Sequence, residues 1–302
     1  LENVRCVAPL IHNITNYVTA NDVANVLLAC GASPIMADEE AEVEEITAHC
    51  MGLNLNLGTL NQKKIPAMQK AGKMANKLGH VVVLDPVGVG ASSFRKQTAE
   101  QLLKEVLFDA IRGNISEIKT LASLCGTQEK NSGNMAVSDT MDVEKITDKS
   151  DHCGKITGID GSGRGVDADN ADTVTEENLA QHISNAKMLS KKLQTIVAIT
   201  GAIDLVTDGS SCYVIRNGNP QMGHVTGAGC QLSGILTAFL AANPENKLQA
   251  AAAAVCMMGY AGELAAEKSG QSGSGTYRVS LMDAVSCMDG DILERGARYE
   301  IR

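Results

Sequence analysis

Apolar positions along the chain fall into short runs of strand length that alternate with stretches of helical spacing. Pro9 to Thr15 is a short apolar piece ending in polar residues, and Ser33 to Ala37 reads as a short strand. Between them, Asn21 or Asp22 can cap a helix that runs through Ala29 and is closed by Gly31. Glu39 to His49 has the pattern of an acidic amphipathic helix. Leu53 to Leu57 (LNLNL) alternates like a strand, and Gln62 to Leu78 predicts a helix with Lys on its outer face. Val81 to Leu84 is a four-residue apolar run, as in a strand buried on both faces, and Asp85-Pro86 ends it. Gln97 to Val106 and Ser116 to Leu124 read as helices flanking a short strand, Ala110-Ile111, that ends at Arg112. Glu176 to Leu193 predicts a long helix and Thr195 to Thr200 a strand. Asp204 to Thr207 and Cys212 to Ile215 predict an antiparallel hairpin. Two or three closing helices follow a glycine loop.

This alternation predicts an α/β protein with a central, mostly parallel sheet and helices on both faces. Ligands are then expected outside the carboxyl ends of the strands. Gly126 to Thr175 does not fit: it is rich in Asp, Asn, Gly, Ser and Thr, has little periodicity, and reads as a surface insertion or a flexible lid in a single domain of 302 residues.

Composition narrows the function classes. The net charge of −9 comes without a basic cluster, which argues against nucleic acid as the main partner. Nine scattered cysteines contain no C-x-x-C pair, so reduced thiols in the cytoplasm are expected rather than a disulfide framework or a zinc site. No signal peptide is visible. The most apolar stretch, Leu248 to Ala266, is alanine-rich and interrupted by Gly259, Gly262 and Glu263, which predicts a buried helix and not a membrane span. The histidines stand singly and read as ordinary polar residues.

Candidate chemistry gathers where the strands end. Gly227, Ala228 and Gly229 precede a run in which Leu232, Ile235, Leu236 and Phe239 would form one face of a helix. A glycine-rich turn opening a helix aims unpaired N–H groups at an anion, so Gly227 to Cys230 are a candidate anion hole. Cys230 falls in the first turn, where a thiol pKa tends to be lowered. Close packing of a helix on a sheet explains the same small residues. Asp85 can hold Mg²⁺ or merely start a turn. Arg112 and Asn114 could grip phosphate oxygens while Glu117 joins the metal shell, or they could form an Arg–Glu surface pair with Asn as helix cap. At Thr200-Gly201 a hydroxyl or amide could meet a nucleotide, or Gly201 could simply turn the chain.

Six ordered motifs carry a resemblance: ITN at Ile14 to Asn16, ASPIMA at Ala32 to Ala37, LDPVGVGAS at Leu84 to Ser92, IRGNISEI at Ile111 to Ile118, AITG at Ala198 to Gly201, and VTGAGCQLS at Val225 to Ser233. Together they resemble hydroxyethylthiazole kinases, thiamine-salvage enzymes of the ribokinase-like superfamily, over Pro9 to about Leu124 and Asn178 to about Gly290. The resemblance implies Mg²⁺-dependent transfer of the γ-phosphoryl of ATP to the hydroxyl of 4-methyl-5-(2-hydroxyethyl)thiazole. It implies thiazole contacts at Asn16, Met36 and Gly227, ATP contacts at Arg112 and Thr200, and acidic residues around Mg²⁺ at Asp85 and Glu117. Cys230 matches the residue beside the substrate hydroxyl, where many related sugar kinases carry Asp. It further implies a homotrimer with the thiazole sites between subunits. The insertion is longer than this family usually carries, and the N-terminus is short.

Three other readings remain open from the residues. Gly88 to Ser93 half resembles the dinucleotide fingerprint of an NAD(P)-dependent oxidoreductase, although it lacks the third glycine. A hydrated-nicotinamide dehydratase shares the glycine loop but carries Asp in place of Cys230. A non-catalytic nucleotide-binding module is the third.

Overall fold

The structure is a computed structural model and describes residues 1–127 and 173–302. In chain order the elements are α1 (Glu2–Val7), β1 (Leu10–Ile14), α2 (Ala20–Cys30), β2 (Ser33–Met36), α3 (Val43–His49), β3 (Gly52–Asn56), α4 (Lys64–Leu78), β4 (Val81–Asp85), α5 (Ser93–Glu105), β5 (Ala110–Gly113) and α6 (Ile115–Thr127). They continue as α7 (Leu179–Leu193), β6 (Ile196–Ile199), β7 (Asp204–Thr207), β8 (Cys212–Ile215), α8 (Ala228–Ala242), α9 (Lys247–Ser269), α10 (Ser274–Cys287), α11 (Gly290–Gly296) and β9 (Tyr299–Ile301). The described strands form one sheet in the order β2-β1-β3-β4-β5-β6-β7-β8-β9. It is parallel from β2 to β6 and antiparallel from β6 to β9.

Alternate residues of each central strand enter different layers. Val81 and Val83 join an apolar cluster with α2, α8, α9 and α10, whereas Val82 and Leu84 join one with α4, α5, α6 and α7. Burial on both faces is why β4 reads as an unbroken apolar run. The chain leaves β1 to one side for β2 and returns to the other side for β3. A reversal of this kind, here at the carboxyl ends of β1 and β3, is where ligands of open α/β sheets bind.

Four expectations need correction. The acidic helix begins at Val43 rather than Glu39, because the preceding chain is tied down: His12 Nε2 meets Ala37 O at 2.8 Å and Tyr17 Oη donates to Asp38 at 2.6 Å. Helix α2 starts at Ala20, so Asn21 and Asp22 lie inside its first turn, and Asp22 pairs with Arg278 of α10. On α4 Lys64 is 1% exposed, although its other lysines do face outward. Helix α5 begins at Ser93, where Ser92 Oγ accepts the Arg95 N–H at 3.2 Å. Helix α1 and strand β9 are additions to the expected list. Helix α9 is long and apolar enough to cross a membrane by length and composition, but it is mostly buried inside the protein and is a core helix. The insertion expected at 126–175 lies almost wholly outside the described residues.

Candidate active site

Asp85 ends β4 fully buried. Its Oδ2 accepts from Asn56 Nδ2 at 2.7 Å and from Ser233 Oγ at 2.8 Å. Arg112 Nη1 stands 3.8 Å from Oδ1, which is buried and has no hydrogen-bond partner. Burial raises the Asp85 pKa against the pull of Arg112, Ser233 and Asn56. Arg112 also donates from Nη2 to Thr200 Oγ1 at 2.5 Å, so the guanidinium spans the ends of β4, β5 and β6.

Helix α8 closes this cluster from above the sheet. Its N-cap Gly227 has φ 83°, a conformation that strains any residue with a Cβ, and a Cβ there would also strike Thr19. The first intrahelical bond runs from Gln231 N to Gly227 O at 2.9 Å, which leaves the N–H groups of Ala228, Gly229 and Cys230 without intrahelical acceptors. Gly229 lies against the Arg112 guanidinium, which would have to shift to admit a Cβ there. A guanidinium and the positive end of a helix dipole thus converge beside Asp85, an arrangement that binds anionic oxygens.

Cys230 does not have the lowered pKa expected from its place in the first turn. Burial, with Asp85 nearby, pushes the thiol up to about 11, outweighing hydrogen bonds from Thr19 and Asn56. Asn56 Nδ2 lies 3.2 Å from Sγ and bridges the thiol to Asp85. A neutral thiol held by an amide is a positioned hydrogen-bonding group, not a thiolate.

Glu117 and Asn114 form a reciprocal capping box at the start of α6. Glu117 N donates to Asn114 Oδ1 at 2.8 Å, and Asn114 N donates back to Glu117 Oε2 at 2.9 Å. Glu117 Oε1 accepts the Gly88 N–H at 2.7 Å. The residue is 9% exposed, and burial and then Asp85 raise the carboxyl pKa to about 7. The expectation of Asn114 as a cap therefore holds, while the Arg–Glu surface pair does not, because Arg112 turns to Asp85 instead. Asn114 commits its oxygen to the cap. Among the described residues no group of three His, Cys, Asp or Glu side chains could hold a metal by itself.

Asn16 follows β1 and Met36 ends β2, on the other side of that reversal in the sheet order. Asn16 Oδ1 accepts the Val18 N–H at 2.9 Å, and its side chain packs against Gly58 in the loop after β3. Met36 is 38% exposed on the edge strand. Sequence reasoning missed Asn56, Ser233, Thr19 and Asp204. Asp204 is buried, accepts the Gly201 N–H at 2.8 Å, and is pushed up to about 7 by burial despite Gly201 and Arg112. Beside Asn114 and Thr200 a cavity of about 380 Å³ opens between α6 and α7, with Ile115, Ile118, Leu189 and Ile199 in its lining.

The sheet order and the helices on both of its faces define the fold class. A ribokinase-like superfamily protein from Enterococcus faecalis has this architecture, with a TM-score of 0.57 over 94% of this chain and 87% of its own at 12% identity. The family is narrower. The model of the hydroxyethylthiazole kinase family matches residues 1–149 and 127–291. A hydroxyethylthiazole kinase of Clostridium acetobutylicum is 52% identical over 301 residues, which is 99% of this chain and 97% of that one. A hydroxyethylthiazole kinase protein from Pyrococcus horikoshii, of known structure, is 30% identical with a TM-score of 0.78, over 100% of this chain and 96% of that one. The chain belongs to the hydroxyethylthiazole kinase family and is an enzyme. That sets aside the oxidoreductase, dehydratase and non-catalytic readings.

Proposed function

We propose that the chain transfers the γ-phosphoryl group of ATP to the hydroxyl of 4-methyl-5-(2-hydroxyethyl)thiazole in thiamine biosynthesis. The observation that carries this reading is the convergence of Arg112 and the α8 N-terminus on one spot beside Cys230. Phosphoryl transfer needs positioning and charge stabilisation more than covalent help. Arg112 and the amides of Ala228, Gly229 and Cys230 grip the transferring group, and Thr200 keeps the guanidinium in place. Cys230 lies beside the acceptor hydroxyl and orients it, and Gly227, Asn16 and Met36 meet the thiazole. The ATP contact of Asn114 is limited to its Nδ2 group. The adenine base lies in the apolar cavity between α6 and α7, next to Thr200.

Mg²⁺ fits the residues present. It is usually bound by one or two carboxylates together with waters and substrate phosphates, not by an all-protein cage. Asp85, with its unpartnered Oδ1, and Glu117 would hold it, and it would neutralise charge on the phosphate oxygens.

The family resemblance adds a cytoplasmic homotrimer whose acceptor sites lie between subunits. Tyr17 and Val18, 60% and 64% exposed beside Asn16, give such an interface apolar surface. The decisive assay measures ADP release with Mg-ATP and, in turn, the thiazole alcohol, hydroxymethylpyrimidine, pyridoxal and ribose. The highest kcat/KM is expected for the thiazole alcohol, and a preference for any of the others refutes the assignment. Light scattering coupled to gel filtration should report the mass of three chains.

A further inference from the structure

Among the described residues Lys64 is the one buried lysine or arginine, and it stands in the first turn of α4. Its Nζ donates to Thr15 O at 2.7 Å, lies 3.6 Å from Asp38 Oδ2, and sits 3.6 Å from the centroid of the Tyr17 ring. Tyr17 Oη donates to the same Asp38 oxygen at 2.6 Å. Two loops thus close around one ammonium: Thr15 to Tyr17 after β1, and Asp38 after β2. The backbone N–H of Tyr17 reaches a third loop through Thr59 Oγ1 at 3.0 Å. Asn16 lies within the first of these loops, and Met36 leads into the second.

Stability alone gives little reason for a lysine here. Removing an ammonium from water is unfavourable, and burial lowers the Lys64 pKa even with Asp38 beside it. Asp38 is itself 33% exposed, so an apolar side chain at position 64 would not strand a fully buried carboxylate. Replacing a buried charge by an apolar side chain of similar volume is often neutral or stabilising. What an apolar residue cannot do is hold a carbonyl of one loop, a carboxylate of another and an aromatic face at fixed separations.

We propose that Lys64 is a positioning residue for the acceptor alcohol: its ammonium locks the loops after β1 and β2 to each other, so that Asn16 and Met36 are held ready for the substrate. This rests on the reading that Asn16 and Met36 meet the acceptor. The charge is matched locally by Asp38, and the groups assigned to ATP stand at the ends of β4, β5 and β6. The effect therefore falls on the acceptor and spares the nucleotide.

The test is steady-state kinetics of Lys64→Met and Tyr17→Phe in the full-length protein, varying alcohol and Mg-ATP separately, with thermal unfolding alongside. Lys64→Met should raise KM for the alcohol about tenfold, the scale of one charge-assisted hydrogen bond, and move KM for ATP by less than about twofold. Tyr17→Phe keeps the ring over the ammonium and loses only the bond to Asp38, so it should raise the same parameter by less. A lowered Tm with KM for the alcohol unchanged overturns the proposal, as does an equal rise in both KM values. If Lys64→Met does not fold, Asp38→Asn, which weakens the hold on the second loop, must show the same split. If the wild type prefers a different alcohol, the functional reading fails but the split is read with that alcohol. If it turns over none, both fail.

Discussion

Gly229→Ala isolates the contact between α8 and Arg112. Gly229 has ordinary helical geometry, and Ala is the better helix former by about 1 kcal/mol, so the backbone alone favours the variant. The side chain does not, because a Cβ at this position would overlap the Arg112 guanidinium. Arg112 must then leave its 2.5 Å bond to Thr200 and move off Asp85. Losing a hydrogen bond made by a charged group costs about 1.5–3 kcal/mol. Asp85 keeps its bonds from Asn56 and Ser233, so the balance against the helix gain is a net loss of about 2 kcal/mol or less. The protein should stay folded. Turnover should fall much further, by about 10²–10³-fold, the usual effect of losing one preorganised donor at a transition state. The assay is a double-mutant cycle of kcat/KM for Gly229→Ala, Arg112→Ala and the pair. If the methyl group acts by displacing the guanidinium, the double variant is no slower than Arg112→Ala alone. Additive losses would refute that reasoning, and so would a Gly229→Ala enzyme with wild-type turnover.

Cys230→Ala should fold and retain kinase activity, because a thiol with a pKa of about 11 stays protonated near neutral pH and is not available as a base. Cys230→Asp should match or exceed wild type, since the α8 N-terminus, Thr19 and Asn56 offer donors to a carboxylate; rates for both variants decide, and an inactive Asp variant would mean that size at this position governs the reaction. Glu117→Gln presents one acceptor oxygen to the two N–H groups of Gly88 and Asn114, so it should lower Tm as well as raise the Mg²⁺ concentration needed for half-maximal rate. If both stay at wild-type values, Glu117 is dispensable. Asp204, with its pKa raised to about 7, binds its proton more tightly folded than unfolded, so its contribution to stability falls as pH rises from about 4 to about 7 and is level above. Asp204→Asn should flatten that slope in urea melts, and an unchanged slope would place the titration elsewhere.

Much of the fold was legible because the central strands are buried on both faces and the helices are amphipathic. VVVL and TIVAIT could be little else in a chain that alternates with helices, and the hairpin from Asp204 to Ile215 appeared where its turn residues placed it. Boundaries failed where tertiary contacts overrode local preference. Thr19 directs its side chain at Gly227 and Cys230 instead of capping α2, and the chain through Asp38 is pinned by His12, Tyr17 and Lys64 before α3 can begin. Strand β9 is three residues long and pairs with the far edge of the sheet, so period alone gives no sign of it.

The site divides along a different line. Groups proposed to touch substrate stand at strand ends and glycine turns, and the motifs named them. Several groups that hold those residues, Asn56, Ser233 and Lys64 among them, lie within helices and strands, where a polar side chain merges into the periodicity. Asn56 is the clearest case. LNLNL looks like a strand with one wet face, but β3 lies inside a parallel sheet, where both faces are covered. Its asparagines are therefore buried and need partners: Asn54 bonds Asn13 on β1, and Asn56 bonds Asp85 and Cys230. Ser233 obeys the same logic one turn beyond Cys230, and Lys64 obeys it on α4. A polar residue at a position that topology buries on every side is thus the usable signal. It requires the sheet order first, because only the sheet order shows that the second face is covered.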